Sequence, residues 1–324
     1  MRIAVLGCGS IGQRHLKNLL GLGQTELVAF DPSRTIRKQT QHEIGVDCVP
    51  DLQKVWERRP QVVFVTAPTN RHIELAQQCA ARGCHFFVEK PLSYSLTGIK
   101  HLCAEIERRE LITMVGCNMR FHHGPATVRR LLARKKIGRL LAMRIQSGSY
   151  LPNWRPAQDY RKSYSSSARS GGAILDCIHE IDLALWYAGP AEFLSAAWIP
   201  ATSIDLLTDG LAEIVLRHQN SVLANIHLNF VQRDYRRSCQ MIGEQGTIYW
   251  DSEEHEIKVY GPKGTINQAI PCPKEWSLNQ MYLDETAHFL RSVESGAPTF
   301  NSVADSVPAL RIALKARARA HRSV

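Results

Sequence analysis

Ile3-Ala4-Val5-Leu6-Gly7-Cys8-Gly9-Ser10-Ile11-Gly12 opens the chain, and its reading decides the fold. Four apolar residues of strand character run straight into G-x-G-x-x-G, and an amphipathic helical pattern follows from Ile11 to Leu20. Each glycine of such a turn has its own reason. The first makes the tight turn, the second lets backbone approach a pyrophosphate, and the third lets helix and strand pack closely. The helix N-terminus then offers unpaired N–H groups and a positive dipole end to phosphate. Nineteen positions after Gly12, at the end of a second strand-like run from Glu26 to Phe30, stands Asp31. A carboxylate there binds the hydroxyls of an adenosine ribose. Gly7, Gly9, Ser10, Ile11, Gly12 and Asp31 are therefore the first candidate cofactor contacts. Asp31 favours NAD, because a carboxylate repels a 2′-phosphate. Ser33, Arg34, Arg37 and Lys38 lie directly behind it and would instead embrace the phosphate of NADP, so NADP stays open as the alternative.

Outward from this turn, strand-like and helix-like segments alternate. Gln61 to Ala67 is Val-rich and apolar throughout, as a strand buried on both faces should be. Helical patterns at about 71–81 and 96–109 alternate with strands at His85 to Val88 and Leu111 to Gly116. Such alternation implies right-handed crossovers and a parallel, doubly wound sheet. After Asn118 the pattern changes. A basic helix from Pro125 to Lys136 leads to a strand at Arg139 to Ser147, then to a polar stretch from Gly148 to Ser170 too long for a simple connector. One helix is expected from Gly172 to Ala188, then successive strands to about Tyr260, and two helices at 278–294 and 302–320. Val222, Ala224, Ile226, Leu228 and Phe230 alternate with polar Asn225, His227 and Asn229, so one face of that strand should pack on a core. The boundary between two domains, 1–118 and 119–324, is placed near Asn118.

The totals exclude several classes. The 324 residues suit two domains, and no apolar run is long enough to span a bilayer. Met1-Arg2 enters the first strand directly, without the apolar stretch and cleavage pattern of a signal peptide. Nine scattered cysteines with no C-x-x-C pair argue against a disulfide framework or a structural zinc, and a reducing cytoplasm suits them. No metal is expected; His122-His123 is too isolated to hold one. A net charge of +10 raises nucleic acid as a partner, but no recognised module accompanies it, and a basic surface with an anionic cofactor accounts for it.

Two further strings carry chemistry. In Glu89-Lys90-Pro91, Lys90 leaves a strand at the carboxyl edge of the sheet, where ligands of doubly wound folds bind, and the following peptide bond is a candidate for cis. In Gly171-Gly172-Ala173-Ile174-Leu175-Asp176-Cys177-Ile178-His179-Glu180-Ile181-Asp182, Asp176, His179 and Asp182 recur at i, i+3, which on one continuous helix is one face. A lysine, a carboxylate and a histidine are what reversible alcohol oxidation needs: one group takes the hydroxyl proton and a cation stabilises the developing alkoxide.

With these residues in view the sequence resembles the glucose–fructose oxidoreductase / inositol dehydrogenase / rhizopine catabolism (Gfo/Idh/MocA) family. The resemblance covers essentially the whole chain: the glycine turn, Thr66-Ala67-Pro68-Thr69-Asn70, Glu89-Lys90-Pro91, and the helix carrying Asp176 and His179. It implies an α/β protein, with an N-terminal Rossmann domain and a C-terminal α/β domain built on a large, mostly antiparallel open sheet. That sheet often serves for oligomerisation, here as a homodimer or homotetramer. The resemblance also implies an oxidoreductase moving hydride between a nicotinamide and a hydroxyl or keto carbon of a sugar, cyclitol or sugar-nucleotide-like substrate. A non-catalytic dinucleotide-sensing regulator of the same fold is the competing reading. Lys90 would be the active-site lysine, His179 the acid/base, and Asp176 a carboxylate that orients the substrate or tunes His179. Pro68, Asn70, His72 and Glu89 would lie near the nicotinamide end, and Thr66, Ala67 and Lys90 are further candidates for cofactor contact. The spacing of two residues between Asp176 and His179, where many members have three, resembles a subgroup found among bacterial surface-sugar and sialic-acid-related gene clusters. So does the segment Ser149 to Tyr164. Arg120, Arg155, Tyr160 and Tyr164 are candidates for substrate contact, with an ordinary solvated loop as the competing reading for the last three.

Overall fold

The computed structural model describes residues 1–154 and 159–319. Its contacts divide into two compact units, one of Met1–Asn118 with Asn279–Val307, the other of Met119–Leu278 with the chain from Pro308 onward. The division expected at Asn118 assigned residues 279–307 to the second part, whereas their contacts lie with the first.

In the first unit, strands β1 (Ile3–Leu6), β2 (Leu27–Phe30), β3 (Cys48–Val49), β4 (Val62–Val65), β5 (His85–Glu89) and β6 (Thr113–Gly116) alternate with helices α1 (Ser10–Gly21), α2 (Arg34–Ile44), α3 (Leu52–Glu57), α4 (His72–Ala81) and α5 (Ile99–Arg108). All strand pairs are parallel, in the order β3-β2-β1-β4-β5-β6. This is the doubly wound sheet that the alternation requires, and β1, β4 and β5 are buried nearly throughout. Helix α5 starts three residues later than its apolar pattern, because Gly98 takes φ 79 at its N-cap. Residues 279–307 close this unit from far along the chain. The Phe289 ring meets the stacked pair Phe64–Phe87 edge-on, and Asn279 donates to the Asn18 side chain at 2.9 Å. Asn301 and Thr299 bond backbone carbonyls of β6.

The second unit comprises α6 (His123–Ala133), β7 (Leu140–Tyr150), α7 (Ala173–Asp176), α8 (Ile178–Ala188) and seven consecutive strands. These are β8 (Ala191–Pro200), β9 (Asp209–His218), β10 (Leu223–Asn229), β11 (Val231–Gly243), β12 (Gly246–Asp251), β13 (Glu256–Tyr260) and β14 (Ile266–Pro271). The eight strands form one sheet, β14-β13-β12-β11-β7-β10-β9-β8, in which only β7 and β10 run parallel. Helices α9 (Leu278–Ser295) and α10 (Val303–Arg319) finish the described chain. The alternation in β10 is realised on its core side, where Val222, Ala224, Ile226, Leu228 and Phe230 are all buried. On its other side Asn225 is exposed, but Asn229 is buried. Its side chain explains why: Oδ1 accepts from Val231 N and Gln232 N, capping the turn into β11. Among the described residues no helix is long and apolar enough to cross a membrane.

Candidate active site

The glycine turn stands between β1 and α1 with each glycine doing a different job. Gly7 takes φ +103, and a Cβ there would lie 2.7 Å from the Ala67 backbone. A Cβ on Gly12 would lie 1.9 Å from the Gly7 carbonyl oxygen, which is how closely α1 packs on the turn. Gly9 has nothing within 4 Å of its would-be Cβ. Gly9 is also the N-cap of α1, with no side chain capping it and no acidic residue in the first turn. The start of α1 is thus a positive helix end without a side-chain cap, beside the open space at Gly9, which fits a dinucleotide pyrophosphate. The Thr66 hydroxyl ties the end of β4 to this turn, donating to Gly7 O at 2.6 Å.

Asp31 lies just past β2 and is buried. Its Oδ2 accepts from Cys8 N at 2.9 Å and its Oδ1 from Ser33 N at 2.8 Å, so it is held rigidly beside the turn. A carboxylate oxygen has two lone pairs, which leaves capacity for ribose hydroxyls. Arg37 is turned onto the Asp31 and Pro32 carbonyls, at 2.9 and 2.8 Å. Arg34, the first residue of α2, is exposed.

At the carboxyl end of β5, Glu89 accepts from buried His15 (Nε2 to Oε1, 2.8 Å), and its Oε2 receives the backbone N–H of half-buried Lys90. Because a carboxylate only accepts, His15 donates through Nε2. His15 was missed in the sequence, where it is one polar residue on the buried face of an amphipathic helix; that placement was its signal. The Lys90–Pro91 peptide is cis. His72, expected near the nicotinamide, is fully enclosed: Nε2 lies 2.8 Å from Ala67 O and Nδ1 2.9 Å from Pro91 O. It braces the segments following β4 and β5 rather than presenting a nitrogen to a ligand. Burial lowers its pKa, and the two carbonyls oppose that shift. Pro68 and Asn70 are exposed at the same carboxyl edge.

In the second unit, the single helix expected from Gly172 to Ala188 is broken. Cys177 (φ −95, ψ 33) separates α7 from α8, so Asp176 ends one helix and His179 lies in the first turn of the next. Their shared face, inferred from i, i+3 spacing, does not exist. Both side chains are nonetheless buried, at 3% and 5% exposure. The N-terminus of α7 is capped from outside the helix. Asp209 Oδ2 accepts from Ile174 N at 2.8 Å, and Arg317 donates to Asp209 Oδ1 at 3.0 Å and to the carbonyls of Ala168 and Arg169. Gly172 is required here, since a Cβ would lie 2.2 Å from Asp209. Burial raises the Asp209 pKa and Arg317 offsets part of the shift.

Two buried ion pairs complete this part. Arg120, a candidate substrate contact, is instead clasped by Asp182 through two hydrogen bonds of 2.9 and 2.7 Å, a bidentate pair inside the protein. Arg237 donates to wholly buried Glu180 at 2.8 Å. Burial works against the Arg237 charge, yet Glu180 holds its pKa above the ordinary arginine value. Neither Glu180, Arg237 nor the Asp209–Arg317 pair was found in the sequence, because partners 57 and 108 positions apart leave no local signature. Tyr160 donates to Ile204 O at 3.2 Å, and Tyr164 lies on an exposed turn. Arg155 lies outside the described residues. Among those described, no cluster of three or more His, Cys, Asp or Glu could hold a metal.

Residues 1–117 match the family described as "Oxidoreductase family, NAD-binding Rossmann fold", and residues 126–267 match the "GFO/IDH/MocA C-terminal domain". The chain belongs to the Gfo/Idh/MocA family. It is an NAD-binding oxidoreductase. This Gfo/Idh/MocA chain is 28% identical to myo-inositol 2-dehydrogenase of Thermotoga maritima over 98% of its own length and 95% of that protein. It is 24% identical to scyllo-inositol 2-dehydrogenase (NAD(+)) of Bacillus subtilis, over 98% and 93%. The crystal structure of an Agrobacterium radiobacter oxidoreductase, in complex with NAD+, L-tartaric acid and magnesium, has the same fold. It superposes with a TM-score of 0.87 at 21% identity, covering 99% of this chain and 96% of that one. The inositol relatives are enzymes, which favours the oxidoreductase reading over a non-catalytic sensor.

Proposed function

We propose that this chain is an NAD-dependent dehydrogenase or reductase acting at a secondary hydroxyl or keto carbon of a cyclitol, sugar or sugar-nucleotide-like substrate. What carries the reading is the full-length likeness to myo-inositol 2-dehydrogenase in a chain that has Lys90 directly after the carboxyl end of β5. The glycine turn, Ser10, Ile11 and Asp31 hold the dinucleotide, with Thr66, Ala67, Pro68, Asn70 and Glu89 toward its nicotinamide end. Arg34, exposed at the start of α2, is the candidate cation for the 2′-phosphate of NADP, the second-choice cofactor. When bound, the nicotinamide supplies the hydride acceptor or donor. His179 takes the hydroxyl proton, or returns it in the reverse direction. The Lys90 ammonium stabilises negative charge developing on a substrate oxygen, and Asp176 orients His179 or a substrate hydroxyl. Arg120 acts through Asp182 as a support. The first unit, 1–118 with 279–307, carries the cofactor, and the second carries substrate recognition and self-association as a homodimer or homotetramer through the large sheet. The protein works in the cytoplasm, with no nucleic-acid or membrane partner.

Lys90→Met tests the assignment. Turnover of myo-inositol with NAD+ should fall by roughly a hundredfold or more, with NAD+ affinity by calorimetry within about twofold of wild type. Unchanged turnover in Lys90→Met would remove Lys90 from the mechanism.

A further inference from the structure

Cys8 and Cys48 were read as ordinary free thiols, and the structure brings them together. Cys8 is the variable residue between the first two glycines of the turn, and Cys48 lies on β3, the edge strand of the parallel sheet. Their sulfurs are 3.7 Å apart, and both residues are buried. The Cys8 N–H is the donor that holds Asp31 Oδ2. A thiol pair thus joins the dinucleotide turn to an edge strand beside the ribose-binding carboxylate.

We propose that Cys8 and Cys48 are a redox pair that hydrogen peroxide closes into a disulfide, and that the closed form binds NAD more weakly. The proposal rests on the turn being the NAD site. The two sulfurs are not equivalent. Cys8 accommodates the shared proton, since its thiol is pushed up by its hydrogen bond to Cys48 and by burial. The same bond lowers the Cys48 thiol, assisted by the Arg37 charge. Cys48 is also the more exposed residue of the two, at 8% against 0%, and is the attacking sulfur. It lies on a two-residue strand at the edge of the sheet, the side from which a small oxidant arrives.

In the first step the Cys48 thiolate attacks one peroxide oxygen. The O–O bond breaks, Cys48 becomes a sulfenic acid, and hydroxide leaves to take up a proton as water. In the second step the Cys8 sulfur attacks the sulfenic sulfur. The S–S bond forms, the S–O bond breaks, and a second water departs with the Cys8 proton. Two thiols are oxidised by two electrons in all, and one peroxide is reduced to two waters.

Closure changes the cofactor site for a geometric reason. A disulfide is about 2.0 Å long, so sulfurs now 3.7 Å apart must approach by roughly 1.6 Å. The turn is fixed on both sides of Cys8, since a Cβ on Gly7 would lie 2.7 Å from the Ala67 backbone and one on Gly12 1.9 Å from the Gly7 carbonyl oxygen. Strand β3 is laddered to β2, with Ala29 N bonded to Asp47 O at 2.8 Å. The motion falls on Cys8 and its bond to Asp31.

The test uses the full-length protein, fully reduced and then treated with hydrogen peroxide, with and without NAD+. Non-reducing peptide mapping should find Cys8 linked to Cys48, with the two peptides together lighter by two hydrogens. NAD+ affinity should weaken on the order of tenfold, the scale expected when a preorganised site is displaced by about 1 Å. Dithiothreitol should restore it. Cys48→Ser and Cys48→Ala should both bind NAD+ normally and be insensitive to peroxide. Retention of both thiols as alkylatable, linkage of Cys79 to Cys84 instead, or a Cys8–Cys48 link that leaves NAD+ affinity unchanged would each overturn the proposal. No arm depends on turnover, so failure to bind NAD+ in the reduced protein would count against the NAD site and not against the thiol pair.

Discussion

Two neighbouring glycines should respond to the same substitution in opposite ways. In Gly12→Ala the new methyl would lie 1.9 Å from the Gly7 carbonyl oxygen and 2.9 Å from the Thr66 hydroxyl. The first neighbour is backbone in a turn pinned by Thr66, so α1 must move off β1. Overpacking of this kind costs about 1–3 kcal/mol, which for a unit of this size lowers the melting temperature by roughly 2–12 °C. In Gly9→Ala nothing lies within 4 Å of the new methyl, and Gly9 already has φ −63, which alanine adopts without strain. The melting temperature should stay within about 1 °C of wild type. The methyl does, however, occupy the space through which backbone approaches the pyrophosphate, so NAD+ affinity should drop by about tenfold or more. Differential scanning fluorimetry and calorimetric NAD+ titration read the two effects separately. A folded Gly9→Ala that binds NAD+ as tightly as wild type would refute the assignment of this turn to the pyrophosphate, whatever Gly12→Ala does.

Other consequences concern the second unit. Arg237→Met strands the Glu180 carboxylate at 0% exposure, which should cost about 3–5 kcal/mol, with most of the loss recovered in Arg237→Met/Glu180→Gln; chemical denaturation of the three proteins checks it. His122 is packed between Trp250 and Trp276 with ring centroids 5.1 and 4.3 Å away, and burial pulls its pKa from 6.5 down to about 3. The unfolded chain therefore takes up a proton that the folded one refuses, so this contribution is complete above about pH 6.5 and is lost as pH falls toward 3. By pH 5 the loss amounts to about 2 kcal/mol, and His122→Gln should flatten that part of the acid denaturation curve. Asp209→Ala frees the N-terminus of α7 and leaves Arg317 without its carboxylate, so activity should fall severalfold or more while NAD+ affinity, read by titration, is unchanged.

Most of the first unit was legible because its signals are local. Val62–Val65 is buried on both faces and reads as one apolar run, and the glycines are demanded by contacts within a few residues or across adjacent strands. Asp31 lies where the pattern puts it. What the sequence hid is long-range. The break at Cys177 has no proline or glycine within the helical run to announce it, and the Asp209 carboxylate that caps the start of α7, itself held by Arg317, comes from far along the chain. Arg120, a candidate substrate contact in the sequence, is clasped by Asp182, and His72, expected near the nicotinamide end, braces loops through both its nitrogens. The attachment of residues 279–307 to the first unit rests on pairs such as Asn18–Asn279 and Thr113–Thr299, which no periodicity reports. Buried polar residues gave little warning of their partners, and those partners decide how the candidate catalytic groups are held.

The measurement that bears most directly on the central claim is the absorbance of reduced nicotinamide, followed while the reduced wild-type protein is mixed with NAD+ and, separately, NADP+ against a panel of cyclitols, sugars and nucleotide sugars. NADH should accumulate with at least one secondary alcohol of the panel, faster with NAD+ than with NADP+, and Lys90→Met should abolish the signal. No turnover of any compound in either direction, together with no binding of either dinucleotide, would contradict the account.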